Sequence, residues 1–424
     1  MRANLFAALI GMLCVAGCGG SGNSLGGGGS GSGGSGGSTG NVQAIVVDSG
    51  PPQVASSNTP AINTAYTTVT ICAPGSTTNC QTIDHIQVDT GSSGLRILHD
   101  AISISLPLQT DTAGNVIAEC VGFVDGSSWG PVRTADVKIS GETALNQEVQ
   151  LIGDGAYPAP STCKGAAATS TDPNLEDDVA HFGANGILGV APYVSDCGSA
   201  CLQQGNGTYY TCATPTTCAQ SAMAENLQVS NPVAAFATDN NGVIIQLPSV
   251  ATTGVASVSG TITFGVGTQS NNGLGSATAF SVAGTGFLTT GYKLNQSLTQ
   301  SFIDTGSNAW YFPDSSITMC TTNQNFYCPS PDLNLQATLM NSMSGGSKVV
   351  NFTVTSADAL FQNSKSVIGA SSGLAANSAK FATGGSVDGT KVFDYGLPFH
   401  YGKSVYVVIE GKSTTAGAGP FFAF

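Results

Sequence analysis

The sequence predicts an all-β chain built as two homologous lobes around one shared site. Three observations predict it. First, the phrase Val88-Asp89-Thr90-Gly91-Ser92-Ser93-Gly94 returns as Ile303-Asp304-Thr305-Gly306-Ser307-Asn308-Ala309, 215 residues later (304 − 89). A given Asp-Thr-Gly is expected about once in a few thousand positions at average composition, so two copies with matching flanks point to two related halves, each donating one carboxylate. Second, each copy is preceded by a strand, a turn and a strand. Third, helical periodicity is weak throughout, while short apolar runs broken by Gly, Pro, Asn and Ser are frequent.

The elements follow in order. Thr64 to Cys72 alternates as a strand, Ala73-Pro74-Gly75 turns it, and Gln81 to Val88 returns and delivers Asp89. In the second half Gly291-Tyr292-Lys293 leads to a turn around Asn295, and Leu298 to Ile303 runs into Asp304. Asn241 to Pro248 and Gly260 to Phe264 are further strands. Ile45-Val46-Val47-Asp48-Ser49-Gly50 closes an N-terminal strand; Pro51-Pro52 after it argues against a third active-site loop. Residues 161–178 and 195–222 read as long polar loops, and Ala219 to Val229 is the best short helix. The polar stretch Gln269 to Gly275 sets the lobe boundary, giving an N-terminal lobe at 41–270 and a C-terminal lobe at 271–424.

The first 40 residues read as export and tether. Arg2, the apolar run Leu5 to Ala16 and then Val15-Ala16-Gly17-Cys18 form a signal with a lipobox, so 1–18 is a lipoprotein signal peptide lipidated on Cys18. Residues 19–40 are almost pure Gly and Ser, a flexible coil with a reach of roughly 25 Å. Gly19 after the Cys, by resemblance to Gram-negative lipoproteins, favours the outer membrane, with a periplasmic or surface-facing protein anchored there. No later segment is long and apolar enough to span a bilayer. The net charge is −13 with only 9% charged residues. No basic stripe exists to displace counterions from phosphates, which excludes nucleic acid as a partner.

Ten Cys remain beyond Cys14 and Cys18, an even number in an oxidising compartment. The expected disulfides are Cys72–Cys80, Cys197–Cys201, Cys212–Cys218 and Cys320–Cys328, with Cys120–Cys163 as the longer link. Zinc on Cys197, Cys201, Cys212 and Cys218 is the weaker alternative, since exported Cys usually oxidise. The four His, at 85, 99, 181 and 400, form no nucleophile constellation, and Gly33-Gly34-Ser35-Gly36-Gly37 matches a serine-hydrolase elbow only formally. No cofactor or metal is expected.

Two carboxylates held a few ångströms apart cannot both ionise easily, so one proton is shared over a wide acidic range. One Asp then takes a proton from a water while the other supports the developing oxyanion. Gly91 and Gly306 allow tight loops whose N–H groups aim at the carboxylates.

Both Asp-Thr-Gly phrases resemble the catalytic signature of pepsin-like aspartic endopeptidases, and the chain is identified with a bacterial lipoprotein branch of that superfamily over most of residues 60–424. The resemblance implies a bilobal fold with the cleft between the lobes, Asp89 and Asp304 as the catalytic pair, Thr90 and Thr305 bonding across the lobe interface, and Ser92 and Ser307 supporting each Asp. Gly183-Ala184-Asn185-Gly186-Ile187-Leu188-Gly189 resembles the segment packed beside the first loop. Phe393-Asp394-Tyr395-Gly396-Leu397-Pro398-Phe399 is its counterpart, with Asp394 a departure from the pattern. Residues 121–130 fall where the family has its flap. There Gly126 suits the hairpin, Phe123 replaces the usual Tyr, and Trp129 either lines the cleft or packs as an aromatic.

The expected function is a membrane-tethered aspartic endopeptidase working in the acid range as a monomer on peptide or protein substrates. The alternative is an inactive member that binds peptides or polymers or serves as an envelope scaffold. No Lys or Arg occurs between Arg2 and Arg96, so no basic prosegment is expected to neutralise the pair.

Overall fold

A computed structural model describes residues 40–424 apart from 58, 124–125, 164–174, 284–285, 295, 342–345, 364, 370–372 and 381–386. The expected signal peptide, Cys18 and most of the expected Gly/Ser tether lie outside the described residues. The expected all-β, bilobal architecture is the one found.

Strand Ala65–Cys72 pairs antiparallel with Cys80–Asp89, Cys72 facing Cys80 at the turn. A register shift between Thr67 and Val69 lets the return strand twist before it reaches Asp89. That return strand runs parallel to Gly186–Val190, which pairs antiparallel with Ser93–Leu98. The sheet continues through Glu142–Ile152, Ser127–Ile139 and Val116–Gly122. Ala65–Cys72 also pairs with Ser127–Ile139, closing the first lobe on itself. Val, Ile and Leu facing inward from these strands form its core.

The second lobe is a seven-stranded sheet around Leu288–Tyr292 and Gln296–Ile303. Its centre is aromatic: Trp310 is fully buried, stacked on Phe352 at 4.8 Å and edge-on to Tyr395 and Phe399. The first sheet does not stop at its lobe. Val42–Val47, Val258–Phe264 and Gly242–Leu247 extend it to Lys403–Val408, Phe421–Ala423 and Ala279–Ser281, so strands from beyond residue 270 complete a sheet begun before it.

All five expected disulfides form: Cys72–Cys80, Cys120–Cys163, Cys197–Cys201, Cys212–Cys218 and Cys320–Cys328. Four of those thiols are thereby consumed that a zinc site would need. Cys320 and Cys328 also lie near Asp358, but their sulfurs are bonded to each other. The helix expected over Ala219 to Val229 is absent. Its start is strand Thr217–Gln220, paired with Tyr209–Thr214, and only a single 3-10 turn, Glu225–Leu227, follows. The apolar residues beyond that strand, Met223, Leu227 and Val229, pack around Cys197, Cys201 and Tyr209 from irregular backbone instead. The loop expected over 195–222 likewise contains this hairpin.

Candidate active site

The two Asp-Thr-Gly loops are delivered by matching frames. Asp89 lies opposite Gly189 on the parallel neighbour of its strand. In the second lobe Gln296–Ile303 runs parallel to Asp394–Tyr395, with Ile303 opposite Tyr395, and the Asp304 N–H donates to the Tyr395 carbonyl at 3.1 Å. Both loops then turn inward and meet.

Their meeting is reciprocal. The Thr90 N–H donates to Thr305 Oγ1 and the Thr305 N–H to Thr90 Oγ1, each at 3.0 Å. Thr90 Oγ1 donates to the Ile303 carbonyl at 2.9 Å, and Thr305 Oγ1 to the Val88 carbonyl at 2.7 Å. Four buried bonds thus cross between the halves, and each hydroxyl is used as donor and acceptor. The expected roles of Thr90 and Thr305 match this geometry.

The carboxyls sit on either side of this crossing. Asp89 Oδ1 accepts from the Gly91 N–H at 2.7 Å, and its Oδ2 accepts from the Ser92 hydroxyl. Asp304 Oδ1 accepts from the Gly306 N–H at 2.7 Å, and its Oδ2 from the Ser307 hydroxyl at 2.9 Å. Each glycine abuts the other lobe's acid. A Cβ on Gly306 would fall 2.6 Å from Asp89 Oδ1, and one on Gly91 would fall 2.8 Å from Asp304 Oδ1. The two side chains therefore face each other. Both are fully buried. Burial first, then the Asp89 charge, then Asp394 push the Asp304 carboxyl well above the usual range, and the Ser307 hydroxyl pulls it back in part. These causes bias a shared proton towards Asp304.

The hairpin at 121–130 is present. Val116–Gly122 pairs with Ser127–Ile139 and the Phe123 N–H donates to the Gly126 carbonyl at 2.8 Å; Val124 and Asp125 lie outside the described residues. Its aromatics pack inward. Phe123 is buried edge-on to Phe182 at 5.9 Å. Trp129 donates from Nε1 to the Tyr157 carbonyl at 2.8 Å and packs edge-on to Tyr210. Of the two expectations for Trp129, the packed aromatic is the one observed, because its N–H finds a buried partner only there. A Cβ at Gly126 would fall 2.7 Å from Glu176 Cγ, so the hairpin is closely backed.

Three contributors escaped the sequence reading. Gln87 Nε2 donates to the Gly306 carbonyl at 3.1 Å, tying the first return strand to the second loop; a lone Gln between Ile86 and Val88 was the available signal. Asn63, fully buried at φ 50°, donates to the Asn308 carbonyl and accepts from Ile368 N–H and the Tyr401 hydroxyl. Nothing local marked it. Arg96, just past the first loop, is fully buried and bonds Glu119 Oε1 at 2.7 Å and Asp196 Oδ2 at 2.8 Å. Glu119 lies on Val116–Gly122, the first strand of the 121–130 hairpin, so this cluster fixes the hairpin's base to the strand after the first Asp-Thr-Gly loop. A surface cavity of about 610 Å³ lined by Lys348, Lys403, Tyr406 and Phe424 includes none of these residues.

A family model described as "Protein of unknown function (DUF3443)" matches residues 37–424. The chain belongs to this family. No curated protein sequence matches it. Among solved structures, this family member is similar to the aspartic proteinase from Irpex lacteus at 16% identity and a TM-score of 0.48, over 90% of this chain and 96% of the other.

Proposed function

We propose that this member of the family is an aspartic-type endopeptidase. One observation carries the reading: two buried carboxyls, one from each lobe, face each other in loops whose donors match bond for bond. In the reaction Asp89 removes a proton from a water that attacks the peptide carbonyl. Asp304, holding the shared proton, donates to the carbonyl oxygen as it becomes an oxyanion. Because a single proton must be held by the pair, activity belongs in the acid range. The same reading places the enzyme in the bacterial envelope, most simply at the outer membrane, tethered through lipidated Cys18 and working without cofactor.

Both carboxyls are fully buried, so a peptide reaches them only when their cover opens. That cover, and the inward packing of Phe123, favour a second reading in which the fold binds peptide or polymer without cleaving it. A peptide-library digest at several acidic pH values separates them. Wild type should cleave, a statine-type inhibitor should block cleavage, and Asp89→Asn or Asp304→Asn should lower kcat by at least about a thousandfold, as expected for loss of a group acting in the transition state. Cleavage that survives either substitution removes the dyad mechanism. No cleavage at all leaves the binder.

A further inference from the structure

A third carboxyl stands behind the pair, at a position where internal symmetry calls for an apolar residue. In the first lobe Leu95, six residues after Asp89, lies opposite Leu188, and Arg96 lies opposite Ile187. In the second lobe Trp310, six residues after Asp304, lies opposite Tyr395, and Tyr311 lies opposite Asp394. The parallel neighbours agree: Gln87 faces Ile187, and Phe302 faces Asp394. Asp394 is thus the counterpart of Ile187. It is buried, and its Oδ1 has no hydrogen-bond partner. The Leu397 N–H donates to the Ser307 carbonyl at 2.7 Å, so the 394–397 segment packs against this serine, and the Asp394 carboxyl lies next to the Ser307 hydroxyl, the same hydroxyl that donates to Asp304 Oδ2 at 2.9 Å.

A serine hydroxyl has one hydrogen to give. When Asp304 is charged, that hydrogen belongs on Asp304, and the contact with Asp394 survives only if Asp394 donates. We propose that Asp394 is a positioning residue: a neutral carboxylic acid that donates to Ser307 Oγ and so holds the Ser307 hydrogen on Asp304. The inference rests on the endopeptidase reading for its role in turnover. Asp304 gains negative charge as it passes its proton to the oxyanion, and the chain from Asp394 through Ser307 to Asp304 stabilises that charge. No bond is broken along the chain; only hydrogen-bond direction is fixed. Ser92 has no such acid behind it, because Ile187 fills the matching place, so the two carboxyls are not interchangeable.

The surroundings keep Asp394 neutral. Burial raises its carboxyl well above the usual range and the Asp89 charge adds to it; the Ser307 hydroxyl lowers it only by donating to Asp394, and its hydrogen is on Asp304. The other titratable groups facing it are Asp304 beyond Ser307, Tyr311 on the antiparallel strand with its hydroxyl on Asn308 Oδ1, and Tyr395 on its own strand bonded to Thr290. His400 on the following turn is buried and held neutral, its value lowered to about 3. Lys391, three residues upstream, is paired with Asp388 at 3.0 Å.

The test uses the whole chain with two substitutions. Asp394→Asn keeps a donor for Ser307, whereas Asp394→Ile copies Ile187. Asp394→Ile should lower kcat about tenfold with KM unchanged, the scale of one hydrogen bond to a charged group, and Asp394→Asn should stay within about threefold of wild type. Combined with Ser307→Ala, Asp394→Ile should cost nothing further. Full activity in Asp394→Ile, or additive losses, overturns the proposal. Infrared difference spectra of wild type against Asp394→Asn at about pH 6, where an ordinary Asp is ionised, give a readout that needs no turnover. Loss of a protonated carboxyl band supports the proposal, and loss of a carboxylate band overturns it. If wild type cleaves no peptide, the endopeptidase reading fails by itself, and the infrared result still decides the state of Asp394.

Discussion

Gly91 and Gly306 have no side chain because the opposite acid occupies that space. A methyl at Gly306 would overlap Asp89 Oδ1, and one at Gly91 would overlap Asp304. The pair cannot move aside freely, since each carboxyl is held by an N–H and a hydroxyl. Gly306→Ala should therefore leave the circular-dichroism spectrum unchanged and reduce kcat/KM by at least about a hundredfold, the cost of a reacting group displaced by roughly 1 Å. Activity within a few-fold of wild type would show that the carboxyls tolerate separation. Thr305→Ala acts at the same scale by another route. It removes the acceptor of the Thr90 N–H and the donor to the Val88 carbonyl, leaving two buried backbone groups unpaired at about 1–3 kcal/mol each. A denaturant midpoint that does not fall would contradict the count of bonds across the interface.

At the scale of elements, the base of the 121–130 hairpin and the strand after the first Asp-Thr-Gly loop are bound together by charge. Arg96 on strand Ser93–Leu98 holds Glu119 on Val116–Gly122 and Asp196 before the Cys197–Cys201 turn. One guanidinium serves two carboxyls, and burial, then Glu119, raise the Asp196 carboxyl well above its usual range. Removing the arginine would leave buried acids without their counter-charge. Arg96→Met should destabilise by about 3–5 kcal/mol, read as a shift in denaturant midpoint at constant slope. The Cys120–Cys163 link closes 43 residues from the flap strand onward. Replacing both with Ser should cost about 4 kcal/mol by loop-closure entropy. A loss near zero would mean that the unfolded chain is not constrained by this bond.

At the scale of the whole molecule, buried acids set the pH dependence of stability. Asp196, Asp304 and Asp394 are all raised by burial first, with neighbouring carboxyls second for Asp196 and Asp304 and a smaller Asp89 contribution for Asp394. A carboxyl whose folded value is raised binds its proton more tightly folded than unfolded. Its contribution is full below about pH 4 and is lost as pH rises through the folded value. His400 works in the opposite sense. Burial lowers it to about 3 from 6.5, so its contribution is present above the unfolded value and is lost as pH falls. Three acids outweigh one imidazole, and Tm should fall between about pH 5 and about pH 8. Asp394→Asn should flatten that fall, and His400→Leu should raise Tm at about pH 4 more than at about pH 7. A Tm that climbs from pH 5 to 8 in wild type would refute the account.

Much of this was legible from residues in order. The repeated Asp-Thr-Gly, the strand that feeds each copy and the five cysteine pairs are local or short-range patterns, and local patterns survive in a sequence read without its fold. The alternation of Ala65–Cys72 and Leu298–Ile303 named the strands correctly because one face of each is buried. The failures were of another kind. Met223, Leu227 and Val229 pack around Cys197, Cys201 and Tyr209 from a 3-10 turn and loop rather than from a helix, and Trp129 packs where only its neighbours could place it. Taken alone, the sequence determined that two acids serve two similar loops. Only the tertiary structure decided that these loops cross, that Asn63 and Gln87 join the second loop to distant strands, and that Asp394 stands behind one acid and Ile187 behind the other, because those facts depend on which residues parallel strands set side by side.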